Sequence, residues 1–258
     1  MTVNALILRT AGTNCDHETQ FAFEQAGATA ERLHINSVSE NPKLLEQFQI
    51  LALPGGFSYG ADIASGKILA NELLTRLADK LEKFISGGKL VIGICNGFQV
   101  LVKMGMLPGP FHKSARQTAT LTFNDSNKFE DRWVYLRTDS DKSPFIRKGQ
   151  VIHLPVAHGE GKFVTDTPAT LDEIRRNGQA VFRYVDENGN AGQPYPVNPN
   201  GSVDDIAGIC DITGRVLGLM PHPERHILPT QHPRWTRDGL KPEGDGMQIF
   251  RNAVGYFK

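Results

Sequence analysis

Cys95 stands in Gly93-Ile94-Cys95-Asn96-Gly97, directly after the branched apolar run Leu90-Val91-Ile92 and before a second apolar, helix-like stretch. Gly-x-Cys-x-Gly between a strand and a helix is the layout of a nucleophile elbow, a sharp turn that lifts one side chain to its tip. A side chain at Gly93 or Gly97 would obstruct the turn and the close approach of helix to strand. The lifted residue is a cysteine, which points to thiolate attack on a carbonyl carbon. The competing reading is a core cysteine behaving as a small hydrophobe. Two glycines in register, with a strand on one side and a helix on the other, favour the nucleophile.

A cysteine nucleophile needs an imidazole to take its proton and an acceptor to fix that imidazole's tautomer. Of the eight histidines, two lie in His-x-Glu pairs, His158-Gly159-Glu160 and His222-Pro223-Glu224. In extended backbone, residues i and i+2 share a side, so either pair could set a carboxylate beside its ring. Pro221 and Pro223 bracket His222 at the end of the apolar run Val216-Leu217-Gly218-Leu219-Met220, and proline stiffens both itself and the residue before it. His158 is followed by Gly159 and Gly161, which suits a supple loop that follows a substrate. Rigidity favours His222 and Glu224 as base and orienting acid. An oxyanion hole needs two backbone N–H groups. Asn96, at the start of the helix after Cys95, supplies one, where the helix dipole also lowers the thiol pKa. The bare loop Pro54-Gly55-Gly56-Phe57 offers the other, from Gly56 or Phe57.

The elements that must position these groups alternate. Apolar strands at Ala5–Arg9, Thr29–Ile35, Ile50–Leu53 and Leu90–Ile94 are separated by amphipathic stretches at Asn14–Gln25, after Asn41-Pro42, and from Lys67 to Ile85. Such alternation builds an α/β fold with a mostly parallel central sheet flanked by helices. Its ligands bind beyond the carboxyl ends of the strands, where the glycine loops lie. From about Gln117 strands and turns dominate (Thr118–Phe123, Arg132–Arg137, Val151–Val156, Ala180–Tyr184, Ile206–Asp211, Val216–Met220), with helices near Leu171–Arg176 and Met247–Tyr256. No repeat or linker divides the 258 residues, which read as a single domain over 1–258.

Lys plus Arg and Asp plus Glu number 28 each. The balanced charge, without a basic stripe, argues against nucleic acid and anionic membranes as partners. No apolar stretch approaches the roughly 20 residues of a membrane span, and the N-terminus reads as a strand rather than a signal peptide. Three cysteines without zinc-site spacing imply a reducing, cytoplasmic setting and no metal, with Cys15 and Cys210 packed and inert. Gly60–Ile68 imitates a phosphate loop, but five residues separate Gly60 from Gly66-Lys67. Ile68 also replaces the magnesium-binding hydroxyl, so no nucleotide site is expected.

Cys95 in Gly-Ile-Cys-Asn-Gly-Phe-Gln, with His222 and Glu224 in Pro-His-Pro-Glu, resembles the triad of the class I glutamine amidotransferases. The blocks Gly12-Thr13-Asn14-Cys15-Asp16, Pro54–Gly60, Cys95–Gln99, Pro155–Gly161, Asn198–Ser202 and Met220–Arg225 extend the resemblance over nearly the whole chain. The resemblance implies a flavodoxin-like fold and an enzyme that hydrolyses L-glutamine. Cys95 would attack the side-chain amide, His222 would protonate the leaving ammonia, and water would clear a glutamyl thioester. Gln99 would help hold the glutamine, and His158 would lie in a substrate or interface loop. It further implies that ammonia passes to a larger synthase subunit, which uses ATP and magnesium to aminate formylglycinamide ribonucleotide in purine biosynthesis. A small third subunit would bridge the two, and this chain would carry no cofactor of its own. Two stretches depart from the family pattern, Ala61–Ser65 and the longer Ile227–Asp245. The rival readings are a cysteine hydrolase of the protease or chaperone type, which would place a histidine where Asn96 stands, and a non-catalytic regulatory module.

Overall fold

The computed structural model describes residues 2–61, 63–112, 114 and 116–258. Met1 at the N-terminus and Asp62, within the stretch after Gly60, lie outside the described residues. The strands are β1 Asn4–Arg9, β2 Thr29–His34, β3 Ile50–Leu53, β4 Leu90–Ile94, β5 Ala119–Thr122, β6 Glu130–Thr138, β7 Val151–His158, β8 Lys162–Thr165, β9 Ala180–Val185, β10 Ile206–Cys210 and β11 Val216–Leu219. The helices are α1 Asp16–Gln25, α2 Ile35–Glu40, α3 Lys67–Ser86, α4 Asn96–Lys103, α5 Pro168–Arg176, α6 Trp235–Asp238 and α7 Met247–Gly255. One sheet holds nine strands in the order β2-β1-β3-β4-β11-β10-β9-β6-β7, and β5 pairs with β8 separately. β2, β1, β3, β4 and β11 run parallel, and the sheet continues antiparallel through β10, β9, β6 and β7.

The central parallel strands β3, β4 and β11 are apolar throughout because helices cover both of their faces, whereas β2 at the sheet edge carries Glu31, Arg32 and His34. Every residue of β3, β4 and β11 is buried. α3 meets the sheet along a stripe of Leu69, Leu73, Leu77, Leu81 and Phe84, at the three- and four-residue spacing of one helical face. Register then decides where the loops emerge. Leu53 of β3 pairs with Gly93 of β4, and Gly93 pairs with Gly218 of β11. The carboxyl ends of these three strands therefore lie level. The Pro54–Phe57 loop, Cys95 and His222 leave the sheet at one edge.

Several local expectations shift. The second strand stops at His34 rather than Ile35, because the His34 Nδ1 accepts from the Asn36 N–H (3.2 Å) and caps α2. Pro42 does open a helix, but it is a single 3₁₀ stretch over Pro42–Gln47, and Asn41 gives it no side-chain cap. β7 runs on past Val156 to His158, paired with β6 along its whole length.

Candidate active site

Cys95 leaves β4 with φ 51° and ψ −106°, in a positive-φ region that a cysteine seldom enters. Residues in such regions store of order 1–3 kcal/mol and persist only where surrounding structure over-determines them. Here it does. A Cβ on Gly97 would lie 1.9 Å from the Leu53 carbonyl oxygen, and one on Gly93 would lie 2.6 Å from the Gly97 backbone and the Leu101 side chain. The Cys95 N–H donates to the Leu219 carbonyl (2.8 Å), which ties the elbow to β11. The sequence reading of an elbow holds in its steric detail.

β11 delivers the histidine. The His222 N–H donates to the Pro155 carbonyl (2.8 Å), joining the end of β11 to β7 at the sheet's other extremity. His222 Nδ1 and Glu224 Oε1 are 2.6 Å apart, with both side chains buried. A carboxylate only accepts, so Nδ1 carries the proton and Nε2 is left to take one. Nε2 is buried and has no hydrogen-bond partner among the described residues. Burial opposes charging of this ring, but the Glu224 carboxylate, with the Cys95 and Cys15 thiols, outweighs it and raises the His222 pKa well above its ordinary value. One detail corrects the sequence argument. His222 is extended, but Glu224 sits in a one-turn 3₁₀ helix over Pro223–Arg225, so that turn sets the pair, not extended alternation. Pro223 starts the turn, as its fixed φ favours.

The loop after β3 is bare because it must be. A Cβ on Gly55 would lie 2.7 Å from His222 Cε1, and one on Gly56 (φ 139°) would meet the Asn14 N and Gly12 O at 2.7 Å. Of the two anticipated oxyanion donors, Phe57 is excluded. Its N–H donates to the Gly12 carbonyl (2.8 Å) and closes a bridge across Thr13 and Gly56. The Gly56 N–H takes no part in that bridge. As the first residue of α4, Asn96 has an N–H with no carbonyl one turn behind it. Its side chain accepts from the Ser58 N–H (3.2 Å) and locks the two donor-bearing segments together.

One placement differs from the expectation. His158 is not in a supple loop. It ends β7 at 2 % exposure, with Nδ1 against Asn124 Oδ1 (3.1 Å) and Nε2 against Asn200 Nδ2 (3.4 Å). Gly161 is needed because a Cβ there would strike the imidazole at 2.3 Å, so the glycine provides close packing rather than freedom. Burial and the neighbouring His222 push the His158 pKa down to about 3. Gln99 is likewise engaged by the protein. Its Nε2 donates to the Glu160 carbonyl (2.6 Å) and its Oε1 accepts from Asn96 Nδ2 (3.0 Å). These bonds brace α4 against the turn after β7.

Sequence reasoning missed the network behind His158. Asn124 Oδ1 also accepts from the Gly161 N–H, and Asn200 Nδ2 also donates to the Tyr184 hydroxyl (3.1 Å). Polar residues flanking the Asn198–Ser202 glycine turn were the available signal. The place of Cys15 was missed as well. It is packed, but beside the site, and its Sγ, an imidazole nitrogen of His222 and a carboxylate oxygen of Glu224 lie within 4.8 Å of one another. These donor types can hold a transition metal ion. Cys210 is buried as expected, with burial raising its thiol to about 12.

Comparison with known proteins agrees with this geometry. Residues 2–257 match the model of the CobB/CobQ-like glutamine amidotransferase domain. The phosphoribosylformylglycinamidine synthase subunit PurQ of Dehalococcoides mccartyi is 50 % identical over 98 % of this chain and 96 % of its own. The protein of the same name from Methanococcus maripaludis is 42 % identical, with 98 % and 96 % covered. A chain of the PurLQS structure from Thermotoga maritima superposes with a TM-score of 0.75 at 31 % identity, covering all of both chains. A strained cysteine elbow, a buried His–Glu pair and a family match over nearly every residue converge: the chain belongs to the CobB/CobQ-like glutamine amidotransferase family.

Proposed function

We propose that the chain, acting as one domain, is the glutaminase subunit of phosphoribosylformylglycinamidine synthase; the relatives from Dehalococcoides mccartyi and Methanococcus maripaludis are named as subunits of that synthase. The observation that carries the chemistry is Cys95 on its strained elbow, against a buried imidazole whose Nε2 has no hydrogen-bond partner among the described residues and whose Nδ1 is held by Glu224. Cys95 Sγ gives its proton to His222 Nε2 and attacks the glutamine side-chain carbon. The carbonyl π electrons move onto oxygen, where the Gly56 and Asn96 N–H groups receive them. As the C–N bond breaks, His222 returns the proton to the departing nitrogen, which leaves as ammonia. A thioester remains on Cys95. His222 then deprotonates water, which attacks the thioester carbon, and glutamate leaves as the thiol is re-formed.

Gln99 and His158 act around this centre, one bracing the elbow helix and the other holding β7 in place with an uncharged ring. Ammonia goes to a larger synthase subunit, which supplies the ATP and magnesium chemistry, with a small bridging subunit; the solved PurLQS relative supports such an assembly. The chain needs no cofactor for its own half-reaction and works in the cytoplasm. No helix among the described residues is long and apolar enough to cross a membrane.

The test is Cys95→Ala in the reconstituted complex. Glutamine-dependent amination should vanish, while amination from added ammonium is retained, because the second reaction does not need the thiol. Equal loss of both activities in an intact complex would refute the assignment.

A further inference from the structure

A second thiol lies at the triad, and the mechanism above gives it nothing to do. Cys15 is 1 % exposed, and its Sγ, His222 and Glu224 present their polar atoms within 4.8 Å of one another. Its backbone is fixed. The Cys15 N–H donates to the Gly55 carbonyl (3.2 Å), and its own carbonyl receives both the Thr19 N–H (3.1 Å) and the Thr19 hydroxyl (2.6 Å). The sulfur receives a charged donor, Arg225 Nη2, at 3.1 Å, and lies 3.3 Å from Asn14 Oδ1.

Arg225 immediately follows Glu224 on the same 3₁₀ turn. Glu224 uses Oε1 on His222, while its Oε2 is buried without a hydrogen-bond partner among the described residues. An unpaired carboxylate oxygen in a low-dielectric interior attracts any cation within reach. The nearest on its own turn is the guanidinium of Arg225. Burial opposes its charge, while Cys15, Glu224 and Glu18 raise the Arg225 pKa; the contact the guanidinium makes is to the Cys15 sulfur. A forked Arg–carboxylate pair would divert the charge that keeps His222 basic.

We propose that Cys15 is a positioning residue that anchors Arg225 away from Glu224 and so keeps the carboxylate committed to His222. The sulfur is suited to this task. It accepts one N–H from the guanidinium without presenting the second oxygen that would turn the contact into a bidentate pair.

This inference rests on the reading of Cys95, His222 and Glu224 as the triad, and its test separates the two. Glutamine hydrolysis is measured in the assembled complex for the wild type, Cys95→Ala, Cys15→Ala, Cys15→Ser, Arg225→Met and Cys15→Ala/Arg225→Met. Hydrolysis by the wild type and none by Cys95→Ala establishes the triad. On that background, Cys15→Ala is expected to lose at least tenfold in kcat with KM for glutamine changed less than about twofold. Cys15→Ser, whose hydroxyl still accepts from Arg225, should recover most of the loss. Arg225→Met should cost far less than Cys15→Ala, and the double variant should return to the Arg225→Met level, because the competing cation is gone. A merely packing role for Cys15 would give no such suppression. A double variant as slow as Cys15→Ala, or Cys15→Ala at wild-type kcat, overturns the proposal while leaving the triad standing.

Discussion

At the residue scale, two histidines beside one cysteine are driven to opposite protonation behaviour by their partners. His222 faces a carboxylate and is raised; His158 faces two amides and a second imidazole and is lowered to about 3. Only the first can accept a proton near neutral pH and hand it on. His222→Ala is therefore expected to reduce kcat by about 100- to 10,000-fold, the usual range for loss of a general base. His158→Gln preserves one amide donor and one acceptor for Asn124 and Asn200, so its kcat should stay within about tenfold of wild type. Steady-state glutaminase kinetics of the two variants in the complex decide the matter. A larger loss from His158→Gln than from His222→Ala would reverse the roles.

At the element scale, the site is a consequence of three level strand ends and the helix that starts at the elbow. Gly97 is the point of closest approach, and Gly97→Ala would drive a methyl group to 1.9 Å from the Leu53 carbonyl oxygen. Overpacking against backbone, which has no rotamer to relax, should destabilise the chain by about 3 kcal/mol. Gly255→Ala is the control, since a Cβ there meets nothing within 4 Å and lies at the end of α7. It should be neutral or slightly stabilising, and denaturant midpoints of both variants test the contrast. The elbow was legible in sequence because its constraints are local: an apolar run, two glycines four residues apart, and a helix that starts directly after the cysteine. The His222–Glu224 pair was legible for the same reason. What escaped was non-local. Nothing in the chain near Cys15 announces that the ends of β1, β3 and β11 will set it against His222. Nor does Gly159-x-Gly161 reveal that a glycine is there to admit an imidazole rather than to loosen a loop. Phe57 looked as able a donor as Gly56 until the Gly12 carbonyl was placed opposite its N–H.

At the scale of the whole molecule, folding buries several imidazoles in the uncharged form, and this couples stability to pH. His158 is lowered to about 3, chiefly by burial with His222 adding to it, while Asn124 and Asn200 bond its ring. His153 is lowered to about 4, chiefly by burial, with His232, His226 and Lys241 adding to it and Asp245 opposing. His226 is lowered as well, again mainly by burial. In the unfolded chain these rings take a proton near pH 6.5, whereas in the folded chain they do not until far lower pH. Their contribution is fully present above 6.5 and is lost as pH falls toward 4 and 3. His222 runs the other way: its raised pKa stabilises the fold below 6.5, and that contribution is lost only as pH rises through the elevated value. It therefore adds no slope in the acid window. The lowered carboxylates Asp139 and Asp204 act below their ordinary value of 3.8 and also stay outside it. Between pH 6.5 and 4 the slope should belong to the buried histidines, with His158 alone removing up to about 1.4 kcal/mol per pH unit. Half-buried His153 contributes less because solvent screens it. Urea unfolding at pH 6.5, 5.5 and 4.5 should show stability falling steadily in the wild type. In His158→Gln the slope should flatten by about one proton's worth. An unchanged slope in that variant would mean that His158 is charged in the folded protein, and the assignment of a neutral ring beside His222 would fail with it.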